Sequence, residues 1–271
     1  MPLILTSPRN PRIAFVRSLQ RAAVRHAQGR TYVEGRRVVA QTLAVGRVEF
    51  VLYVPANDAV IDALAATARE RGCEVIPCSR AAFAAATSTE SPQGILAVVA
   101  TPALAPRAGL RLAVVLDGVQ DPGNLGALVR CAAAAGASEV LCTRGGADPF
   151  SPKAMRAGAG AQFHIAVTPE LGPDELAGRL RSLPLVAATA AGRTAYSDVD
   201  WTVAAGVAIG SEAHGVSAAV RALAWDTVRI PMHGMAESLN AASAAAVILF
   251  EAARQRAAAG VGEGNVGGRA T

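Results

Sequence analysis

The chain has 271 residues, 52 % hydrophobic, with a formal net charge of +5. That supplies the apolar material for one or two packed domains. No apolar run approaches the roughly 18–20 residues of a membrane span, and residues 1–10 lack the pattern of a signal peptide. Four cysteines (Cys73, Cys78, Cys131, Cys142) stand apart without zinc-ligand spacing and read as reduced core thiols of a cytoplasmic protein. The charge is one-sided. Residues 1–47 hold nine arginines against one glutamate, and residues 106–271 hold 14 basic and 14 acidic residues, so the excess sits at the front. Such a surface attracts a phosphate backbone; its plainer reading is a solvated helix face. Aromatic residues make up only 4 %, which argues against a sheet that binds RNA by base stacking.

In chain order, residues 6–11 form a turn or cap. Residues 12–28 have helical spacing, with Arg17, Arg21 and Arg25 four apart on one face. A strand and turn follow at 31–35, a helix at 36–45, a strand at 48–54 and a helix at 58–71 closed by Gly72. Then come a strand at 74–78, a short helix at 80–86, a loop at 87–92 and a strand at 94–100. This alternation predicts a small α/β unit with a mainly parallel sheet. It carries no acid, base or nucleophile cluster and reads as a binding module. The Pro- and Ala-rich stretch 101–111 is the linker.

A second alternating unit follows, with strands at 112–116, 139–142, 165–167 and 185–188. Its helices are at 125–135, from Ser151-Pro152 onward, and at 174–183. Two further apolar runs, 207–209 and 228–230, stop at Gly210-Ser211-Glu212 and at Pro231-Met232-His233-Gly234. Ligands of open α/β sheets bind at the carboxyl ends of strands, so both stops are expected side by side on one rim. Ser238 stands before an Ala-rich helix at 239–259, ended by Gly260. The helix N-terminus would bring free N–H groups to the same rim. Residues 259–271 read as a disordered tail.

Neither a dinucleotide GxGxxG after a strand nor a GxxxxGK[ST] loop is present, which argues against a Rossmann-type nucleotide enzyme. Gly158-Ala159-Gly160 falls in a predicted helix, where small residues serve packing. The histidines lack zinc spacing, and Ser211 with His214 is no triad. Asn124 and Arg130, on the first helix of the second unit, can both reach the rim. Arginine suits a phosphate or a developing oxyanion. Glu212 ends a strand beside Gly210. Ser238 and Asn240 are either site residues or caps.

Three ordered segments carry a resemblance: LDGVQDPGNLGALVRCAAAAGA (116–137), AIGSEAHGVS (208–217) and IPMHGMAESLNAASAAAVILFE (230–251). They resemble the motifs of the SpoU (TrmH) family of SPOUT RNA ribose 2′-O-methyltransferases. TSPRNPRI (6–13), YVEGRRV (32–38) and SPQGILAVV (91–99) resemble that family's RNA substrate-binding domain. Ala213 departs from a usual second glycine, and Ala241-Ala242 from a frequent Val-Ser.

The resemblance implies an α/β SPOUT-type domain at 111–258 with a C-terminal trefoil knot, preceded by a small α/β RNA substrate-binding domain at 1–102. It implies S-adenosyl-L-methionine held by Gly210, Ile230 and Leu239, and a homodimer through the knotted domain. Arg130 would be the central catalytic residue, with Asn124, Glu212, Ser238 and Asn240 orienting it, the ribose and the cofactor. Arg9, Arg12, Arg17, Arg21, Arg25, Arg36 and Arg37 would hold RNA phosphates. Ribosomal RNA is favoured over transfer RNA; no DNA, metal or membrane is expected. A non-catalytic RNA-binding protein of the same fold is the alternative, against which the intact motif set speaks.

Overall fold

A computed structural model describes residues 4–45, 48–55, 58–235 and 238–261. Over the first hundred residues the elements are α1 (Pro11–Ser18), α2 (Ala22–Gln28), β1 (Arg30–Glu34), α3 (Arg36–Val45), β2 (Val48–Tyr53), α4 (Ala59–Glu70), β3 (Glu74–Pro77), α5 (Arg80–Ala86) and β4 (Ile95–Ala100). From Leu112 they are β5 (Leu112–Asp117), α6 (Pro122–Ala134), β6 (Glu139–Thr143), α7 (Pro152–Ala157), β7 (Ala166–Leu171), α8 (Pro173–Leu180), β8 (Leu185–Ala188), β9 (Thr194–Ala195), β10 (Ala205–Gly210), α9 (Ala218–Leu223), β11 (Asp226–Arg229) and α10 (Ala241–Ala258).

Two compact units result: Met1–Pro102 together with Phe150–Phe163, and Ala103–Pro149 together with His164–Thr271. The segment Phe150–Phe163 therefore packs with the first unit, although its place in the sequence assigns it to the second. Its anchor is a buried hydrogen bond from the Thr31 hydroxyl on β1 to the Phe150 carbonyl, 2.7 Å. Gly158-Ala159-Gly160 lies beyond the end of α7 rather than inside a helix, with Ala159 and Gly160 both at positive φ.

The first unit has a four-stranded sheet of order β1-β4-β2-β3. Its predicted parallel character needs correction. β4, last in sequence, enters between β1 and β2 and runs antiparallel to both; only β2 and β3 are parallel. One face packs Tyr32, Phe50, Leu52, Leu96 and Val98 against Ile13, Val16 and Leu19. The helix expected at 12–28 is broken. Arg21 is extended and starts α2, while Leu19 is driven fully into the core. Arg25 folds back, buried, and donates to the carbonyls of Leu19 and Gln20, each at 2.8 Å. It thereby serves carbonyls that the end of α1 leaves without helical partners.

The second unit is a seven-stranded sheet of order β7-β6-β5-β10-β8-β11-β9, parallel throughout. Parallel sheets are covered on both faces, so their strands are apolar along their length; every residue of β5 and β10 is buried. α6 and α10 pack against each other. Near the end of α10, the buried Arg256 donates to the carbonyls of Trp201, Val203, Leu110 and Arg111. β10 and β11, expected side by side, are separated by β8. β9 and α9 were not legible in the sequence, being two and six residues long. The last helix starts at Ala241, not at 239. Its cap is Asn240, whose Oδ1 accepts from Ser243 N at 2.7 Å, so Ser238 is not the cap. Of the predicted tail, 262–271 lie outside the described residues.

Candidate active site

The carboxyl ends of β10, β8 and β11 frame a cavity of about 350 Å³, within the size range of small-ligand pockets. Gly210 and Glu212 reach it from the β10 end, Ile230 and Met232 from the β11 end, and Ser238 and Leu239 from the approach to α10. Apolar walls come from Ile209, Val228 and Ile248. Strand order thus separates the two predicted stops by one strand, yet the cavity joins them.

The turn after β10 is tight. Gly215 N donates to Ser211 O at 2.8 Å, and His214 N to the Ser211 hydroxyl at 3.2 Å. Gly215 takes φ +64°, which favours glycine. Ala213 is not at positive φ, so alanine is unstrained there. The far end of the turn is pinned by Asp117, the buried last residue of β5. Its carboxylate accepts from Ser217 N at 2.6 Å and from the Thr143 hydroxyl at 3.0 Å. Glu212 stands at the tip of this turn, and its carboxylate accepts from Asn124 Nδ2. Asn124 sits in the first turn of α6, its own N–H bonded to the capping Asp121 at 2.9 Å. The sequence set Asn124 and Glu212 88 positions apart, and the fold makes them one hydrogen-bonded pair.

Arg130 behaves differently. Six residues at about 100° each place it about 120° around α6 from Asn124. It is exposed and is not among the residues lining the cavity. Asn240 is exposed; with its carbonyl committed to the cap, its amide N–H₂ is the group left to donate.

Spacing missed Thr189 and Ala190 beyond β8, His214, and Arg221 on α9, all of which line the cavity. The first two follow the same strand-end rule and were within reach. Arg221 was not, because α9 is too short to show periodicity. A second cavity of about 430 Å³ lies across the same turn, with His214, Ser211 and Gly215 common to both and Asp117 and Gln120 on its far wall.

Of the predicted phosphate-binding arginines, Arg9, Arg12, Arg17, Arg21, Arg36 and Arg37 are exposed. Arg12 is already paired with Glu74 at 2.6 Å and lies over the Phe50 ring, and Arg36 is paired with Asp58. Arg25 is buried and leaves the set; its guanidinium is committed to the carbonyls at the end of α1.

Residues 111–250 match the model of the SpoU rRNA Methylase family, and residues 10–97 that of the MRM3-like substrate binding domain. The chain belongs to the SpoU rRNA methylase family. A Bacillus subtilis relative, a 23S rRNA (guanosine(2553)-2′-O)-methyltransferase, is 35 % identical over 67 % of this chain and 73 % of its own. An uncharacterized tRNA/rRNA methyltransferase of Synechocystis is 32 % identical over 94 % of this chain and 95 % of its own. The solved SpoU methyltransferase AviRb of Streptomyces viridochromogenes, in complex with AdoMet, superposes with a TM-score of 0.80. It is 31 % identical, covering 92 % of this chain and 100 % of that one.

The SpoU residues present fit S-adenosylmethionine. A Cβ at Gly210 would collide with the Gly215 backbone, so the wall there is bare main chain suited to a flat ring. Ile209, Ile230, Leu239 and Ile248 provide apolar surface, and the carboxylate of Glu212 suits a cationic ligand. Among the described residues no cluster of metal-ligating side chains is present.

Proposed function

We propose that this SpoU enzyme transfers a methyl group from S-adenosylmethionine to a ribose 2′-hydroxyl of ribosomal RNA. The observation that carries the reading is the Asn124–Glu212 pair at the edge of a cavity lined by Gly210, Ile230 and Leu239. It joins three distant motifs at one rim, in a chain whose relatives include a 23S rRNA 2′-O-methyltransferase. S-adenosylmethionine, when bound, supplies an already activated methyl group. The protein's part is to position the 2′-hydroxyl and ease its deprotonation. Asn124 holds the Glu212 carboxylate in place, and the free amide of Asn240 and the Ser238 hydroxyl orient ribose and cofactor. Arginine stays protonated in proteins, so Arg130 grips the adjacent phosphate and stabilises negative charge on the 2′-oxygen rather than acting as a base.

Arg130 does not line the cavity of its own chain. A homodimer through the second unit, in which a second protomer supplies Arg130, completes the set. Phe250, half exposed on α10, is an apolar side chain available to such an interface. The backbone passes very closely at Gly192 against Val228, where the segment between β8 and β9 passes β11. We read this as a tight crossing of a trefoil knot. Arg9, Arg17, Arg21 and Arg37 form the phosphate footprint of the first unit. Among the described residues no helix is long and apolar enough to cross a membrane, and four free cysteines fit a reducing cytoplasm.

The test is transfer of labelled methyl from S-adenosylmethionine to total RNA and ribosomal subunits from cells lacking the gene, with mapping of the product. Label at one ribosomal ribose is expected. Label in transfer RNA would move the substrate class; none in any RNA or subunit, with cofactor bound, would overturn catalysis.

A further inference from the structure

The first unit holds a smaller cavity of about 210 Å³. Glu34 closes β1 at its wall, Arg37 comes from the first turn of α3, Thr89 and Gln93 from the loop before β4, and Arg156 from α7. Glu34 is buried. Its Oε2 accepts from the hydroxyls of Thr87 and Thr89, the second at 2.8 Å. Its Oε1 is buried and has no donor among the described residues. Arg156 donates to the Thr89 hydroxyl at 3.1 Å. A buried acceptor without a donor is costly and calls for an explanation.

The chemistry restricts what could satisfy it. A carboxylate only accepts, so the group that meets Oε1 must bring N–H or O–H and cannot itself be anionic. The cavity is smaller than the roughly 300–1,000 Å³ of pockets that enclose drug-sized ligands, so it admits about one ring system. Unstacked RNA bases are read on their Watson–Crick edges and stack on arginine planes as well as on aromatic rings. Guanine presents its N1–H and 2-amino group side by side. Uracil sets one N–H between two carbonyl oxygens that a carboxylate repels.

We propose that this cavity is a subsite for a splayed guanine base of the substrate RNA. Glu34 reads its N–H edge, and Arg37 and Arg156 stack on the base or hold its flanking phosphates. The proposal rests on the RNA-methylating reading above. It assigns the first unit a base-reading role in addition to phosphate attraction.

The test measures binding of the full chain to short fluorescent oligouridines by anisotropy, each with a central guanosine, inosine or uridine. The wild type is expected to prefer guanosine to uridine by about tenfold, with inosine, which lacks the 2-amino group, between them. In Glu34→Gln the guanosine-to-uridine ratio is expected to fall to about one, with a thermal melt confirming the fold. Arg37→Ala, at an exposed position, is expected to weaken the guanosine oligomer several-fold. Equal binding of guanosine and uridine by the wild type would overturn the subsite, as would a ratio that survives Glu34→Gln or an Arg37→Ala protein that binds as wild type. Methyl transfer is scored separately on the same preparation. Transfer without guanine preference removes only the subsite; preference without transfer removes only the catalytic reading.

Discussion

Gly210 and Gly215 touch so closely that a Cβ on Gly210 would stand 1.9 Å from the carbonyl carbon of Gly215. The chain leaves β10, turns through residues 211–215 and lies back on the strand end, with Glu212 at the tip. Contact at that distance admits no side chain, and both partners are backbone, so neither can swing aside. Gly210→Ala is therefore expected to push the turn off the cavity and weaken S-adenosylmethionine binding at least tenfold, about 1.4 kcal/mol. Calorimetric titration checks it; a variant that binds as wild type would mean the turn relaxes freely.

Asn124→Ala removes the donor that holds Glu212. Misplacing a positioning group costs up to about 100-fold in rate. The rate of methyl transfer is expected to fall about 10- to 100-fold, with cofactor affinity changed by less than about threefold. An equal loss in cofactor binding would show that the pair serves the cofactor and not the ribose.

Arg130→Ala is expected to abolish methyl transfer with an unchanged melting temperature, because the side chain is exposed. The dimer reading adds a sharper outcome. Arg130→Ala and Glu212→Ala, each inactive alone, should regain part of the activity when co-expressed, since one composite site would carry both native residues. Failure to complement, with mixed dimers confirmed by native mass spectrometry, would place Arg130 and Glu212 in the same protomer's site.

The basic front divides into two classes. Arg17, Arg21 and Arg37 are exposed. Replacing all three is expected to lower the slope of log K against log salt for single-stranded RNA by about 2, at roughly 0.7 per lost phosphate contact. Arg25→Ala should instead lower the melting temperature, because it strips the buried Leu19 carbonyl and the partly buried Gln20 carbonyl of a donor. A stable Arg25→Ala protein with a flattened salt slope would return Arg25 to the footprint.

Asp226, at the start of β11, is held at about 2, chiefly by the hydrogen bond from Arg193 and next by that from Thr194. An ordinary aspartate titrates near 3.9. Its contribution is thus present above about pH 4 and lost as pH falls towards 2, because the unfolded chain takes up the proton first. Melting temperature measured across that window should fall more steeply for the wild type than for Asp226→Asn. Parallel curves would show that another carboxylate governs acid unfolding.

Much of the second unit was legible because a parallel sheet buries both faces and writes continuous apolar runs, as β5 and β10 do. Its strand ends line the cavity, so the stops of those runs at 210–212 and 231–234 marked the rim, while the choice of Gly210, Ile230 and Leu239 for the cofactor came from the family resemblance. The first unit was legible in its elements but not in its pairing. A strand read alone has no direction relative to its neighbours, and β4 reaches its place only by inserting between β1 and β2.

The amino-acid sequence by itself determined the alternation of elements, the basic front and the three motifs, because these depend on residue type and local spacing. Only the tertiary structure decided that Arg25 turns inward while Arg17 and Arg21 stay exposed, and that Asn240 rather than Ser238 caps α10. It also decided that Asn124 reaches Glu212 across 88 residues, and that Glu34 ends buried with one oxygen unpaired among the described residues. The physical reason is common to all four. Whether a polar group meets solvent, a helix end, a distant partner or nothing is set by the chain that packs over it, which no local window contains.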